Sequence, residues 1–233
     1  MGLAVPGLFV AGAGTEIGKT YVTAGLVRAL RARERLVRPL KPVASGVPLL
    51  SDPDFAQSDT SRLLAAAGTP LTQESVEACS PWRFLAPLGP DLAAAREGRS
   101  LDLAELVGWC RDKLEAAPPD CHVLVEGVGG LMSPLTREAT GLDWAEALGL
   151  PILLVTGTYL GAISHALTAA EVLRLRGLPF AAIAVSESEA APVPPETVAE
   201  ALARRVAAPV AVVRRQGECP ETLLAAAFPN TFP

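Results

Sequence analysis

The stretch GLFVAGAGTEIGKTYVTAGLVRAL, residues 7–30, constrains the fold more than any other part of the chain. A short apolar run from Leu8 to Ala11 leads into a glycine-rich turn, and apolar residues at helical spacing follow from Lys19 to Leu30. This order predicts a buried strand, a tight turn and a helix. The first N–H groups of a helix have no partner inside the helix, so small residues in front of them favour the binding of a phosphate.

The turn itself, GAGTEIGKT, is a candidate phosphate-binding loop. Lys19 adds a positive charge there, and the hydroxyl of Thr20 is a ligand for a magnesium ion that bridges phosphate oxygens. The strict P-loop pattern has a glycine five residues before Gly18, whereas this chain has Ala13 there and Gly12 one residue earlier. An ordinary glycine-rich turn with a solvated lysine is the alternative. The intact Gly-Lys-Thr end and its flanking elements favour nucleotide binding.

The composition narrows the possible partners and locations. A chain of 233 residues, half of them hydrophobic, can form one α/β domain with a large core, and we expect residues 1–233 to be that domain. The formal charge of −5 and the lack of a basic run argue against nucleic acid as a partner. No apolar stretch approaches the roughly 20 residues of a membrane span. The four cysteines form no metal-binding or Cys-x-x-Cys pattern, which favours reduced thiols in the cytoplasm.

Apolar segments alternate with helical patterns along the chain. Strands that are apolar throughout are typical of a parallel sheet covered on both faces. The sequence therefore predicts an open, mostly parallel sheet of the P-loop NTPase type, with helices on both faces. Strands are expected at residues 8–11, 36–43, 122–125, 151–155, 180–185 and 210–213, and helices at 19–30, 59–67, 90–97, 101–116, 142–148, 162–175, 195–205 and near the end, with 48–57 and 68–90 irregular.

Two further glycine-bearing turns follow predicted strands, KPVASG at residues 41–46 and EGVGG at residues 126–130. Ligands bind beyond the carboxyl ends of the strands in open parallel sheets. Right-handed crossovers bring the turns after these strands to that one edge. We therefore expect both turns to converge with the phosphate-binding turn.

Glu126 ends an apolar strand, where a carboxylate is costly unless it is paired or bound to a metal. Together with Thr20 and Asp59 it could supply oxygen ligands to Mg²⁺. The alternative for Glu126 is a buried ion pair with a neighbouring lysine, and for Asp59 it is a helix N-cap.

Lys41 could neutralise an anionic substrate or the transferred phosphoryl group. Its alternative is a solvated lysine. Ser45 offers a hydroxyl in the same turn, or simply stabilises that turn. His165 lies in the first turn of a predicted helix beside apolar neighbours, which favours a packed or capping histidine over a functional one.

The motifs GAGTEIGKT, KPVASG, the aspartate of QSD, EGVGG and LGAISHALTA, in this order, resemble the dethiobiotin synthetase family from about Leu8 to Val185. The resemblance implies a homodimer with the P-loop α/β fold that uses ATP and Mg²⁺. The implied reaction belongs to biotin biosynthesis. 7,8-Diaminononanoate captures CO₂ as a carbamate, ATP phosphorylates the carbamate, and the second amine closes a ureido ring while phosphate leaves.

The same resemblance assigns roles to individual residues. The implied catalytic residues are Lys19, Lys41, Thr15 and Ser45. The implied metal ligands are Thr20, Asp59 and Glu126. The implied nucleotide-binding residues are Gly14, Thr15, Glu16, Ile17, Gly18, Lys19, Thr20, Tyr21, Glu126 and Ser186. The implied substrate-binding residues are Glu16, Lys41, Ser45 and, from across the dimer interface, Leu160, Gly161, Ala162, Ile163 and Ser164.

The chain departs from the family's usual pattern at three places. Ala13-Gly14 replaces a usual Thr-Asp, Ser186-Glu187 replaces an Asn-Asp pair that reads adenine, and VVRRQGECP replaces a late Gly-x-Ile-Pro segment. Two other functions therefore stay open. One is a P-loop ATPase that acts as a partner-regulating switch, although the second early lysine of partition ATPases is absent here. The other is a degenerate family member that binds ligand without turnover.

Overall fold

The computed structural model describes residues 6–232, in which six strands form one sheet in the order β2-β5-β1-β6-β7-β8. Every neighbouring pair in this sheet is parallel. The strands are β1 Gly7–Gly12, β2 Val37–Leu40, β5 His122–Glu126, β6 Ile152–Thr156, β7 Phe180–Ser186 and β8 Val210–Val213, and β3 Val43–Ser45 with β4 Trp82–Phe84 forms a separate parallel pair. The helices are α1 Lys19–Arg31, α2 Asp59–Ala67, α3 Gln73–Cys79, α4 Pro90–Arg96, α5 Leu103–Glu115, α6 Gly141–Leu148, α7 Ala162–Leu175, α8 Pro195–Ala203 and α9 Glu221–Ala227.

The sheet separates two apolar cores. Successive side chains of a strand point to opposite faces, so Leu8 and Val10 of β1 pack with α1, α2 and α9, while Phe9 and Ala11 pack with α4 to α8. Both faces are buried, and this is why the interior positions of β1, β5 and β6 are apolar, with polar residues such as His122, Glu126 and Thr156 only at strand ends. The predicted open parallel sheet with helices on both faces is confirmed.

The order of the strands places the functional turns side by side. β1 lies between β5 and β6, and β2 lies beyond β5. Val10 is level with Glu126 across the β1–β5 pair, and Leu40 is level with Val125 across the β2–β5 pair. The carboxyl ends of β1, β2 and β5 therefore meet at one edge of the sheet, where ligands bind in this architecture.

Three sequence predictions about local structure are wrong. The single strand expected at residues 36–43 is two, because Pro42 carries no N–H for a ladder and the N–H of Lys41 donates to the carbonyl of Cys79 instead. Residues 43–45 then pair with β4, which lies with α3 in the stretch expected to be irregular. A short 3-10 helix, Pro53–Gln57, also occupies part of the expected loop at 48–57.

Candidate active site

The phosphate-binding turn runs from the end of β1 at Gly12 to the start of α1 at Lys19. Gly18 precedes the helix with φ of +89°, a left-handed conformation that favours glycine. A methyl group built on Gly18 would lie 2.3 Å from Oγ of Ser186, so the side chain of Ser186 fills the space beside the turn. The Nζ atom of Lys19 donates a hydrogen bond to the carbonyl oxygen of Gly14 at 3.0 Å. In this structure the turn therefore holds its own lysine.

A buried ion pair lies beside this turn. The Nζ atom of Lys41 is 2.7 Å from Oε1 of Glu126 and also donates to the carbonyl of Gly127 at 2.7 Å. The hydroxyl of Thr20 donates to the same Glu126 oxygen at 2.7 Å. Lys41 is 2% exposed and Glu126 is fully buried. The structure therefore shows the ion-pair alternative for Glu126 and excludes a solvated Lys41.

Asp59 completes this cluster from the first residue of α2. Its Oδ2 atom is 3.6 Å from Nζ of Lys41. The N-cap of α2 is Ser58, whose side chain accepts a hydrogen bond from the N–H of Ser61. The N-cap alternative for Asp59 is therefore wrong, and its carboxylate contributes to the charge of the site instead.

The two lysines differ in the stability of their charge. Burial, together with the positive charge of Lys41, lowers the pKa of Lys19 to about 8, although the carboxylates of Glu126 and Asp59 act to raise it. Burial also acts to lower the pKa of Lys41, but the contacting carboxylates of Glu126 and Asp59 outweigh it and raise the pKa above its ordinary value. Lys41 is thus a permanent cation, whereas Lys19 is a cation that a bound anion would stabilise.

A cleft of about 800 Å³ opens over these groups. As expected, the three glycine-bearing turns converge there. Of the residues expected in the site, those that line the cleft are Thr15, Glu16, Ile17, Gly18, Lys19, Thr20, Tyr21, Lys41, Ser45 and Asp59. Glu126 lies beneath it and contacts it through Lys41 and Thr20.

A second group of lining residues was not predicted from the sequence, namely Val47, Gln57, Ser58, Arg62, Pro87, Leu88, Gly89, Pro90 and Ser133. Arg62 follows Asp59 by three residues on α2, and this helical spacing could have placed it on the same face. The segment from Pro87 to Pro90 carries no such signal. It reaches the cleft because β4 pairs with β3 and the N–H of Gly46 donates to the carbonyl of Ala86.

The segment Leu160 to Ser164 does not line this cleft. It comprises the end of the turn after β6 and the first three residues of α7, and Leu160 is 90% exposed. His165 is exposed rather than packed, and its Nδ1 atom is 2.8 Å from the hydroxyl of Tyr159. The expectation of a packed or capping histidine is therefore wrong.

The donor set suits a hard cation that is shared with a phosphate. Oε2 of Glu126 is buried and has no hydrogen-bond partner within residues 6–232. The hydroxyl proton of Thr20 is used by Glu126, which leaves lone pairs on Thr20 Oγ1. Mg²⁺ takes one or two carboxylates and fills its remaining positions with phosphate oxygens and water. Over the same residues, no group of three or more His, Cys, Asp or Glu side chains is placed to hold a metal ion.

Comparison with solved structures bears on the fold. Over 97% of each chain, the structure matches the MinD cell division protein of Aquifex aeolicus with a TM-score of 0.55 at 12% identity. A ParA family ATPase of Chlorobium tepidum matches over 96% of this chain and 90% of its own, with a TM-score of 0.50 at 13% identity. Residues 6–219 match the family model described as an AAA domain. The fold and the lysine-bearing turn thus define a P-loop nucleotide-binding protein.

Sequence relatives define the family more closely. An ATP-dependent dethiobiotin synthetase of Methylobacterium nodulans is 66% identical over 91% of this chain and 95% of its own length. Proteins of the same name from Acidiphilium cryptum and Caulobacter vibrioides are 46% and 51% identical, over 86% and 79% of this chain and 88% and 81% of theirs. The chain belongs to the ATP-dependent dethiobiotin synthetase family.

Replacing Gly18 with alanine tests the geometry of the turn. We expect Gly18→Ala to weaken nucleotide binding roughly fivefold or more, because a left-handed conformation costs a residue with a Cβ about 1–2 kcal/mol and the new methyl group collides with Ser186. Isothermal titration with ATP and Mg²⁺ measures this. The matched control is Gly108→Ala in α5, where a methyl group meets no atom within 4 Å. Equal affinity in the two variants would contradict the prediction.

Replacing Lys41 tests the ion pair. We expect Lys41→Met to lower the free energy of unfolding by about 3–5 kcal/mol, because Glu126 then keeps a buried charge without a partner. The double variant Lys41→Met/Glu126→Gln should recover much of this loss in urea denaturation. Lys113→Met is the control, since Lys113 only lies 5.2 Å above the ring of Trp109. A double variant that is as unstable as the single one would show that charge is not the cause.

Proposed function

We propose that this chain closes the ureido ring of dethiobiotin from 7,8-diaminononanoate, CO₂ and ATP, with Mg²⁺ bound at Thr20, Asp59 and Glu126. Formation of dethiobiotin, by an ATP-dependent ligase of biotin biosynthesis, is the activity of the family to which the chain belongs. The main support for the proposed residue roles is the position of Lys41. This permanent cation is buried at the floor of the cleft that the phosphate-binding turn also lines. Anionic substrate and phosphate would therefore meet at one place.

The residues from Gly14 to Tyr21 would bind the phosphates of ATP. Helix α1 begins at Lys19 without a side-chain cap, so its first N–H groups would be available to a phosphate, and Lys19 would exchange the carbonyl of Gly14 for phosphate oxygens. Mg²⁺, when bound, would neutralise phosphate charge and fix the phosphate oxygens in place. Ser186, which packs beside Gly18, would lie next to the nucleoside.

The second half of the site would hold the reacting groups of the diamine. An amine attacks CO₂ and forms the C–N bond of a carbamate, and a carbamate oxygen then takes the γ-phosphoryl group as its bond to ADP breaks. The other amine attacks the same carbon, and phosphate leaves with the C–O bond electrons. Lys41, Thr15 and Ser45 would orient the carbamate, and Glu16 would lie beside the amines. Such catalysis needs mainly positioning and charge neutralisation.

The carboxylate end of the substrate would be bound by a second copy of the chain. The segment Leu160 to Ser164 lies outside the cleft of its own chain and exposes Leu160, so it is free to meet a partner protomer. Its N–H groups at the start of α7 suit a carboxylate. We therefore propose a homodimer with two sites, each using residues of both protomers.

A cytoplasmic location is part of the proposal. Four cysteines within the described residues are free thiols, as a reducing compartment maintains them. No helix among residues 6–232 has the length and apolar character to cross a membrane. ATP and CO₂ are both available in the cytoplasm.

Mass-spectrometric detection of dethiobiotin tests the activity. The protein is incubated with 7,8-diaminononanoate, bicarbonate, Mg²⁺ and each nucleoside triphosphate in turn, beside Lys19→Ala. We expect product with the wild-type protein and at least a hundredfold less with Lys19→Ala, as for the loss of one charge-stabilising group of about 2.7–4 kcal/mol. Product from neither protein, while the folded wild type binds nucleotide, would instead support a binding or regulatory role.

Mixing two inactive variants tests the shared site. Lys19→Ala disables the phosphate turn, and Gly161→Pro disables the Leu160 to Ser164 segment, where φ of +98° excludes proline. If the segment serves the partner's cleft, half of the mixed dimers are heterodimers and each has one intact site. We expect about a quarter of the wild-type rate after exchange of protomers. Mass spectrometry would establish that the mixture contains heterodimers. If such a mixture recovers no activity, the segment serves the cleft of its own chain and the shared-site proposal is wrong.

A further inference from the structure

Ser133 lines the cleft but has no part in the reaction proposed above. It follows the EGVGG turn closely in the sequence and is half-buried. Its N–H donates to the carbonyl of Gly130 at 2.9 Å, and its own carbonyl accepts from the N–H of Gly141 at 3.0 Å. Both backbone polar groups are engaged, so the backbone of Ser133 is fixed beside the cleft.

The hydroxyl group of Ser133 is held in one place as well. Its Oγ atom accepts a hydrogen bond from the N–H of Gly130 at 2.8 Å. A side chain on Gly129 has no room, because a Cβ atom built there would lie only 2.2 Å from this Oγ. The hydroxyl therefore occupies the space above Gly129. Within residues 6–232 it donates no hydrogen bond, so its proton is available to a ligand.

The turn that carries Gly129 is bonded to the phosphate-binding turn. The N–H of Leu131 donates to the carbonyl of Gly12 at 2.7 Å. The point above Gly129 that lies 2.2 Å from Oγ of Ser133 is also 3.6 Å from Oγ1 of Thr15. Since both oxygens lie this close to one point, a single carbamate group can reach both hydroxyls. Thr15 is one of the residues proposed above to orient the carbamate.

The cation of the site does not by itself fix the orientation of a carbamate. Two of the three N–H groups of Lys41 already donate to Glu126 and to the carbonyl of Gly127. Lys41 therefore supplies charge and at most one directed hydrogen bond. A carbamate, like a carboxylate, has two oxygens that each accept more than one hydrogen bond. Hydroxyl donors on the wall of the cleft are needed to hold its plane.

We propose that Ser133 is a substrate-binding residue that donates a hydrogen bond to the carbamate beside Thr15. The N–H of Gly130 strengthens this donor, because a hydroxyl that accepts one hydrogen bond is polarised toward giving another. A hydrogen bond to an anion is also stronger than one between neutral groups. The amine end of the free diamine has no anionic oxygen, so the contact forms only after CO₂ has been captured. This role rests on the proposed function, since the carbamate is an intermediate of that reaction.

Isothermal titration of 7,8-diaminononanoate, with and without bicarbonate, tests this role. We expect Ser133→Ala to raise the Kd for the diamine about tenfold in bicarbonate buffer, as for the loss of a hydrogen bond to a charged group. In CO₂-free buffer the same variant should leave the Kd unchanged. Ser133→Thr, which keeps the hydroxyl, should retain wild-type affinity in both buffers. Ser100→Ala, which alters an exposed serine outside the cleft, is the control and should match the wild type in both.

A purely structural role for Ser133 gives a different pattern. If its hydroxyl only holds the EGVGG turn, Ser133→Ala weakens the binding of ATP with Mg²⁺, or weakens both diamine titrations equally, and either result overturns the proposal. An unchanged Kd in bicarbonate buffer overturns it as well. The titrations need no turnover. A wild-type protein that binds the diamine more tightly with bicarbonate yet forms no dethiobiotin would defeat the proposed function, and the ratio of the two Kd values would still decide the role of Ser133.

Discussion

The ion pair of Lys41 and Glu126 is the interaction on which the functional edge of the sheet depends. It joins the turn after β2 to the end of β5, and through Thr20 it reaches the start of α1. Two opposite charges in an apolar interior are stable together and costly apart. Three segments that are distant in the sequence are therefore held in one arrangement, and the cation at the floor of the cleft is positioned before any ligand binds.

The parallel sheet provides the rigidity that this pair requires. Both faces of the central strands are buried in separate cores, so the strand ends cannot shift without disturbing packing on two sides. The turns at the carboxyl ends are irregular, yet each begins from a fixed strand. Gly18 and Gly129 in these turns both have positive φ, a conformation that glycine adopts at little cost.

Much of this architecture could be predicted from local patterns. The continuous apolar runs gave the strand type, and the α7 boundaries, residues 162–175, agree with the structure because Gly161 and Gly177 bracket the helix. The sequence predicts an ion pair for Glu126 only as an alternative to metal binding, because its partner Lys41 lies 85 positions away along the chain. Strands β3 and β4 have only three residues each, which is too few to show a periodic pattern. Their pairing, and with it the position of Pro87 to Pro90 beside the cleft, could therefore not be predicted. The proximity of Ser133 to Thr15 follows from tertiary packing alone.

The resting hydrogen bond from Lys19 to Gly14 has a consequence for ligand discrimination. A ligand that enters the turn must compete with the protein's own carbonyl for the ammonium group. A neutral or weakly charged molecule of the right shape gains too little to displace that carbonyl, whereas a polyphosphate offers several anionic oxygens at once. The hydrogen bond to Gly14 therefore sets a minimum of negative charge that a ligand needs in order to take over the ammonium group of Lys19.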